Sequence, residues 1–414
     1  MSDTDARVQA QYEAYPYPAR DPRDEAKRLI TGSPSHLDEI RHHVFAGRLD
    51  LSRPFRALIA GGGTGDAAIM LAQQLADAGA ADAEVVHLDI SSASRAIARK
   101  RAEVRGLTNL RFADGPIERV AQVALGAYDY IDCCGVLHHL DRPEAGLAAL
   151  AGVLKPEGGM GLMVYGTLGR TGVYPVQEAL AQLAGELGDK DKVALAKRLV
   201  AALPKTHWLK RNPFVGDHLT GGDAGLYDLL LHPRDRAYRV AEFAEFVASA
   251  GLAVRTWIEP ARYDPETYLS DPALRKTAAG LGPIERAALA ERLSGAIAKH
   301  IVYALPAAPA ARADRAEPDP AADGAVLVLR DLDPQTVAKG LSGGVLKADL
   351  GGAPWQAPLP AIAPAIIARL DGRRTVADIR AELKPADPHR FAGQVRATFA
   401  AFHAINRMLV REIR

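Results

Sequence analysis

Through the middle of the chain, short apolar runs alternate with amphipathic stretches, and the turns between them are rich in glycine and acids. Ala57-Leu58-Ile59-Ala60 is an apolar run of strand length; Gly61, Gly62, Gly63 and Gly65 follow, and Ala67 to Ala72 opens a helical pattern. Glu84 to Leu88 reads as a second strand with Asp89 at its C-terminal end, Leu110 to Asp114 as a third, and Tyr128 onward as a fourth. Met160 to Tyr165 is a fifth, entered through the turn Lys155-Pro156-Glu157-Gly158-Gly159. Alternation of strand and helix predicts a parallel sheet with right-handed crossovers. Two further strands come late. Ala253 to Ile258 follows an amphipathic helix from Val240 that ends at Gly251, and His300 to Leu305 is the last. The two are expected to be sheet neighbours, which leaves insertions over 166–239 and 260–298.

The glycine turn fixes the candidate chemistry. Strand, glycine turn and helix N-terminus together offer backbone N–H groups and a helix dipole to an anion. One frame, Gly63-x-Gly65-x-x-Ala68, is that of a dinucleotide site, but it sets Asp66 where a pyrophosphate would lie. The other, Gly61-x-Gly63-x-Gly65 directly after the strand, suits S-adenosylmethionine, which brings a sulfonium and a single carboxylate. Asp89 is then positioned to accept both ribose hydroxyls, and Asp114 suits the adenine amino group. Taken in order, ALIAGGGTG, HLDIS, FADG, GVLHHL and LKPEGG resemble the class I S-adenosylmethionine-dependent methyltransferases over roughly Arg56 to Tyr165.

The resemblance implies a seven-stranded, doubly wound, Rossmann-like α/β sheet whose last strand inserts antiparallel, with helical insertions and a small α+β C-terminal domain. It also implies S-adenosylmethionine as cofactor, with contacts from Gly61, Gly63, Thr64, Gly65, Asp89, Ile90, Asp114, Gly115 and Cys134. Ile59 stands where the family usually carries an acid, so the partner of the methionine amino group is left open. Methyl transfer from a sulfonium is an in-line displacement with a good leaving group, so alignment and exclusion of water carry most of the work. A base is needed only for an acceptor that arrives protonated. His138, in the loop after the fourth strand, is a candidate, with Tyr17, Tyr227 and His232 behind it. His218, Asp223 and His232 lack the spacing of a metal set, and no metal is expected.

The ends of the chain carry the remaining signals. Residues 1–50 form a cap: Val8 to Tyr12 is helical, Tyr15-Pro16-Tyr17-Pro18 is extended, and Leu37 to Leu49 reads as a helix. The YEAYPYP stretch resembles the N-terminal segment of several bacterial methyltransferases, where it lies over the active site. The core is expected over 51–305, with 166–239 as a lid that leaves the ligand-binding edge of the sheet. An alanine- and proline-rich linker covers 306–324. The unit at 325–414, with a strand at Val326 to Leu329 and helices at Ala361 to Leu370, Val376 to Leu383 and Phe391 to Val410, resembles small winged-helix domains and the C-terminal domains of some bacterial methyltransferases.

Composition narrows the partners. A 414-residue chain of net charge +1 gives no general pull toward nucleic acid or an anionic membrane, and the C-terminal unit carries 13 Lys and Arg against 8 Asp and Glu. No apolar run spans a membrane and the N-terminus is too polar for a secretory signal, so the expected location is cytoplasmic. The two cysteines, Cys133 and Cys134, are adjacent and form no disulfide framework. The acceptor is expected to be a small molecule, with a protein or peptide (a lysine, for example) as the alternative. A cofactor-binding regulatory protein that recognises a partner through its C-terminal unit is the other function class. A homodimer is compatible with all of these.

Overall fold

A computed structural model describes residues 3–308, 316–341 and 343–414. Seven strands form the path of the central sheet: β1 (Phe55–Ala60), β2 (Ala83–Asp89), β3 (Leu110–Asp114), β4 (Tyr128–Cys134), β5 (Leu154–Gly166), β7 (Leu252–Trp257) and β8 (Lys299–Pro306). Their order is β3-β2-β1-β4-β5-β8-β7, and a two-residue strand, β6 (Ala237–Tyr238), pairs with the end of β5. β8 runs antiparallel to both β5 and β7, while the other pairings are parallel. Ala253 lies opposite Leu305, so the two late segments are neighbours as their sequence pattern predicts.

Apolar residues on both faces explain the uninterrupted runs. One face packs Leu58, Val86, Ile131, Leu162 and Val302 against Val120, Leu147, Phe243 and Ala287. The other packs Ala57, Ile59, Val85, Tyr130 and Tyr303 against Leu71, Leu75 and the cap residues Leu37, Ile40 and Val44. The helix expected over Leu37 to Leu49 is shorter: one turn, Leu37–Glu39, passes into a π-helical turn at Ile40–Val44. Ala46 and Gly47 then take positive φ, which ends it.

The segment after β5 folds into helices Val173–Ala184, Asp189–Ala202 and Gly222–Leu230 with two short turns between them. They share a separate apolar cluster of Val176, Leu180, Val193, Leu226 and Leu230. The C-terminal residues build their own core around Leu327, Ile366, Val376, Phe391, Phe402 and Val410. There β9 (Ala325–Leu329) pairs with β12 (Met408–Ile413), and β10 (Val345–Asp349) pairs with β11 (Pro354–Pro358). The third helix of the unit spans Pro388–His403, not Phe391 to Val410. Asn406 sits at φ 54, and the apolar Met408-Leu409-Val410 that follows serves as a strand partner for β9. The helix expected from Ala361 covers only Ala363–Ile367. The expected linker over 306–324 falls partly on 309–315, outside the described residues.

This unit is bolted to the cap through buried charge. Glu39, 0% exposed, accepts hydrogen bonds from Tyr303 Oη (2.9 Å), Asn406 Nδ2 (2.7 Å) and the Arg330 guanidinium. Beside it Arg411 binds both oxygens of Asp38 at 2.8 Å, and Ile413 N–H donates to the Gly47 carbonyl at 2.9 Å. Removing one partner of a buried pair leaves the other charged, desolvated and unpaired, at a cost of about 3–5 kcal/mol. Glu39→Ala should therefore lower the melting temperature by roughly 3–6 °C, whereas exposed Asp50→Ala should leave it nearly unchanged; equal melting temperatures for the two variants would contradict the bridge.

Candidate functional site

The glycine turn follows β1 directly, and the N–H groups of Gly61, Gly62, Gly63 and Gly65 are taken up by acceptors of the protein itself. Gly61 and Gly62 N–H both donate to the Leu88 carbonyl, at 2.8 and 3.0 Å, which folds the turn back over β2. Gly61 (φ 72) has Val136 where a Cβ would go, at 2.4 Å, and Gly63 (φ 52) has the Tyr17 carbonyl oxygen there, at 2.8 Å. Any side chain at either position would be strained and would collide. Asp89 Oδ2 accepts from Gly63 N–H at 2.7 Å and Oδ1 from Ser91 N–H at 2.8 Å. A carboxylate has about four lone-pair sites, so Asp89, half-buried, retains acceptor capacity for two hydroxyls.

Around this turn the other expected contacts fall at one edge of the sheet. Thr64 Oγ1 donates to the Pro18 carbonyl at 2.7 Å, and the Ile90 carbonyl accepts from Gln9 Nε2 at 3.2 Å. Gly115 N–H reaches the Asp89 carbonyl at 3.4 Å. Asp114 is exposed and pairs with Arg95 at 2.8 Å. Cys134 is a free, half-buried thiol at the end of β4, and burial pushes it up, so it is not a thiolate. Across β1 from Cys134's strand, Ile59 pairs with Asp132. The Asp132 carboxylate is buried, accepts from Ser35 Oγ at 2.7 Å, and is pushed up to about 7 by desolvation.

The N-terminal segment lies directly over this edge. Ser91 Oγ donates to the Tyr12 carbonyl, and the Glu13 carboxylate accepts from Ser92 and Ala93 N–H at the start of helix Ser92–Arg105. Further along, Arg20 holds Asp66 at 2.6 Å, and Glu25 pairs with Arg101 and Arg105.

A second polar group forms where the segment, the loop after β4 and the 166–239 insertion meet. Asp228 accepts from Tyr12 Oη at 3.2 Å and from Tyr165 Oη at 3.1 Å. His139 and His232 stack with ring centroids 3.8 Å apart, and the His138 ring lies 4.1 Å from the Tyr165 ring. The Arg170 guanidinium lies over the Tyr165 ring, 3.7 Å from its centroid, and pairs with Asp235 at 2.6 Å. Burial pushes the His138 and His232 imidazoles well down and the Asp228 carboxyl up, so this pocket favours neutral groups. Both His138 ring nitrogens are buried without a hydrogen-bond partner.

Of the sequence-stated candidates, His138 and His232 meet in this group, and the Tyr17 hydroxyl feels the charges of Asp217, Asp228 and Arg170. Tyr227 does not join them. Its hydroxyl donates to Asp189 of the insertion at 2.8 Å and its ring stacks on Tyr15 of the N-terminal segment. Tyr12, Tyr165, Arg170 and Asp228 were not singled out from sequence. Tyr12 is the first residue of YEAYPYP and Asp228 stands in the polar insertion, the local signals they carry.

Among the described residues, His139, Asp228 and His232 bring possible ligand atoms within 4.8 Å, as do His138, His139 and Asp235. His232 thus keeps company with His139 rather than with His218 and Asp223, the latter paired to Lys197 at 2.5 Å. Arg234 N–H donates to His232 Nδ1 at 3.1 Å, so the proton of the neutral ring sits on Nε2, the nitrogen that faces the group. That tautomer opposes metal ligation.

A Rossmann-like α/β methyltransferase sheet is the class that this strand order, with β8 antiparallel between β5 and β7, defines. Residues 58–160 match the family model described as a methyltransferase domain. The chain is 32% identical over 323 residues to an uncharacterised protein of Synechococcus sp., spanning 75% of this chain and 74% of that one. It is 28% identical over 158 residues to a ubiquinone biosynthesis O-methyltransferase of Acinetobacter baylyi, 38% of this chain and 60% of the relative. Among solved structures, PKMT2 from Rickettsia typhi in complex with AdoHcy superimposes with a TM-score of 0.63 at 13% identity, covering 91% of this chain and 75% of that one. The chain belongs to the class I S-adenosylmethionine-dependent methyltransferases, and S-adenosylmethionine is its cofactor. No helix among the described residues is long and apolar enough to cross a membrane.

Asp89→Ala removes two backbone anchors of the turn together with its free acceptor sites. Its affinity for S-adenosylhomocysteine should fall at least about tenfold, or 1.4 kcal/mol, by calorimetry; unchanged affinity would contradict the assignment. Asp132 supplies a stability test. Between roughly pH 4 and 7 the folded chain holds a proton on Asp132 that the unfolded chain has released. Wild-type stability should therefore decline with rising pH relative to Asp132→Asn, by about 1–3 kcal/mol over that window. Urea titrations at pH 4.5 and 7.5 read it, and parallel pH dependence of the two proteins would contradict it.

Proposed function

We propose that the chain transfers a methyl group to an oxygen of a small organic acceptor. Gly61, Gly63, Thr64, Gly65, Asp89, Ile90, Asp114, Gly115 and Cys134 form the cofactor contacts in this reading, and His138 receives the acceptor's proton. The division of labour follows a cap at 1–50, a core at 51–305, a lid at 166–239, a second insertion at 260–298, a linker at 306–324 and a C-terminal unit at 325–414. The bound cofactor supplies a methyl on a sulfonium, a group that leaves without protonation. The protein's task is to hold the acceptor in line, keep water out and take one proton.

The observation that carries the proposal is His138. It stands four residues beyond Cys134, fully buried, with neither ring nitrogen satisfied and its imidazole held neutral by desolvation. A buried polar group without a partner costs about 1–3 kcal/mol, and a bound acceptor hydroxyl would relieve that cost. Because burial holds the imidazole well below its ordinary value, the ring remains a base at neutral and mildly acidic pH. The lid and the N-terminal segment enclose this region, which favours an acceptor small enough to pass beneath them. The Acinetobacter relatives are ubiquinone biosynthesis O-methyltransferases, which agrees with an oxygen acceptor. A protein or peptide acceptor is the alternative, and a regulatory cofactor-binding role is another; the buried Glu39 bridge argues against a freely presented C-terminal recognition arm.

Labelled methyl from S-adenosylmethionine, incubated with cell extract and fractionated by size, separates the readings. Label in the low-mass fraction supports this proposal, label in protein supports the alternative, and no transfer favours the regulatory role. Once an acceptor is in hand, His138→Asn should lower turnover by about 100-fold while S-adenosylhomocysteine affinity stays within about twofold. The wild-type rate should show no imidazole titration between pH 6 and 7. A variant with full turnover would remove His138 from the reaction.

A further inference from the structure

A cavity of about 400 Å³ opens beside this site, on the β8–β7 side of the sheet. Its floor is Ile301 and Ile258, and its walls include Phe214 of the insertion and Tyr263 after β7. The C-terminal unit closes the far side. Gly351 and Gly352, in the turn between β10 and β11, approach so closely that a Cβ on them would lie 3.4 Å from Arg262 and 3.5 Å from Phe214. Core, insertion and C-terminal hairpin therefore each contribute a wall.

The charges in the cavity do not balance. Arg262 pairs with Glu259 at 2.6 Å, and Arg330 is committed to Glu39. Lys299, at the first position of β8, lines the cavity and is exposed, and its ammonium makes neither hydrogen bond nor ion pair among the described residues. One uncompensated ammonium thus lines a space whose other walls include the aliphatic and aromatic residues Phe214, Ile258, Tyr263 and Ile301 together with Ser33 and the ion-paired Glu259, Arg262 and Arg330. A site of this kind holds a ligand with an apolar body and one anionic group.

The cavity floor and the cofactor edge lie on the same sheet. Ile301 pairs with Met163, and Met163 pairs with Cys134. Two strand spacings separate floor and thiol, about 10 Å. The Lys299 charge is felt at both Cys134 and His138. Lys299 lies opposite Tyr165 across the β8–β5 pairing, and the His138 ring lies 4.1 Å from the Tyr165 ring, so a molecule anchored on Lys299 lies one residue away from the proposed proton acceptor.

We propose that this cavity is the acceptor site and that it selects an organic carboxylate of one or two rings, anchored by Lys299 against Phe214, Ile258, Tyr263 and Ile301. This rests on the small-molecule reading above and names its substrate class. Lys299 is here a specificity-determining contact, and the 351–352 turn makes the C-terminal unit part of the acceptor site.

The test uses the full chain saturated with S-adenosylhomocysteine and two probes of one shape, 2-naphthoate and its neutral amide 2-naphthamide, titrated by calorimetry. Naphthoate should bind at least tenfold more tightly than the amide. Lys299→Met, which keeps the stem and removes the charge, should abolish that preference, and Lys299→Arg should restore most of it. S-adenosylhomocysteine affinity should be the same in all three proteins, which shows that each is folded. Equal binding of acid and amide, no binding of either, or a preference that survives Lys299→Met would each overturn the inference. The two proposals fail separately. A Lys299-dependent preference without methyl transfer to any small molecule sinks the reaction but keeps the site. Transfer to a small molecule without the preference does the reverse.

Discussion

The cofactor edge depends on one buried guanidinium. Arg101, 1% exposed, projects from helix Ser92–Arg105 and binds Glu25 of the N-terminal segment, the Thr64 carbonyl inside the glycine turn, and Asp66 at the start of the next helix. A charge so deeply placed is stable only while each partner stays in position. Through it, the segment that covers the site and the turn that would cradle the cofactor are parts of a single bonded unit. Asp89 completes that unit from below by fixing Gly63 N–H. The helix that follows β2 is thereby tied to the one that follows β1, and the turn keeps its shape without help from a ligand.

How much of this was legible follows from the range of the interactions involved. The apolar runs, Asp89, the glycines and the pairing of β7 with β8 were readable because each is a local pattern of hydrophobicity or turn chemistry, and the strand order follows from the family that those patterns resemble. The Tyr12–Asp228–Tyr165 contacts were not, because they join residues 216 and 63 positions apart and leave no periodic trace. β12 was read as the end of a helix because an alanine-rich helical pattern runs straight into it. Only the positive φ of Asn406 and the presence of β9 as a partner turn Met408–Ile413 into a strand. The hairpin of β10 and β11 was missed for a related reason: Lys347, Asp349 and two prolines dilute the strand signal, and pairing across the 351–352 turn decides the outcome. Tyr227 joins the insertion to the N-terminal segment, stacking on Tyr15 and donating to Asp189, contacts across 212 and 38 positions that leave no local trace in the sequence.

Charge burial links the ends of the chain to its centre. From Arg330, Asn406 and Arg411 the contacts pass to Asp38 and Glu39, then through Tyr303 and Ser35 to Asp132 beneath the cofactor edge. Each step is a hydrogen bond in a low-dielectric interior, where satisfied networks rigidify and broken ones are costly. The C-terminal unit is therefore held at a fixed angle to the sheet, and its glycine turn can serve as a reliable wall for the neighbouring cavity.

The central claim is that the cofactor binds beneath the N-terminal segment at the ends of β1, β2 and β4. A crystal structure with S-adenosylhomocysteine bound tests it most directly. The account predicts ribose hydroxyls on the Asp89 carboxylate, the homocysteine sulfur on the Cys134 side, and the Tyr17 and Pro18 carbonyls still seated on Gly63 and Thr64. Density for the ligand outside the segment, or an Asp89 carboxylate that contacts only Gly63 and Ser91, would contradict it.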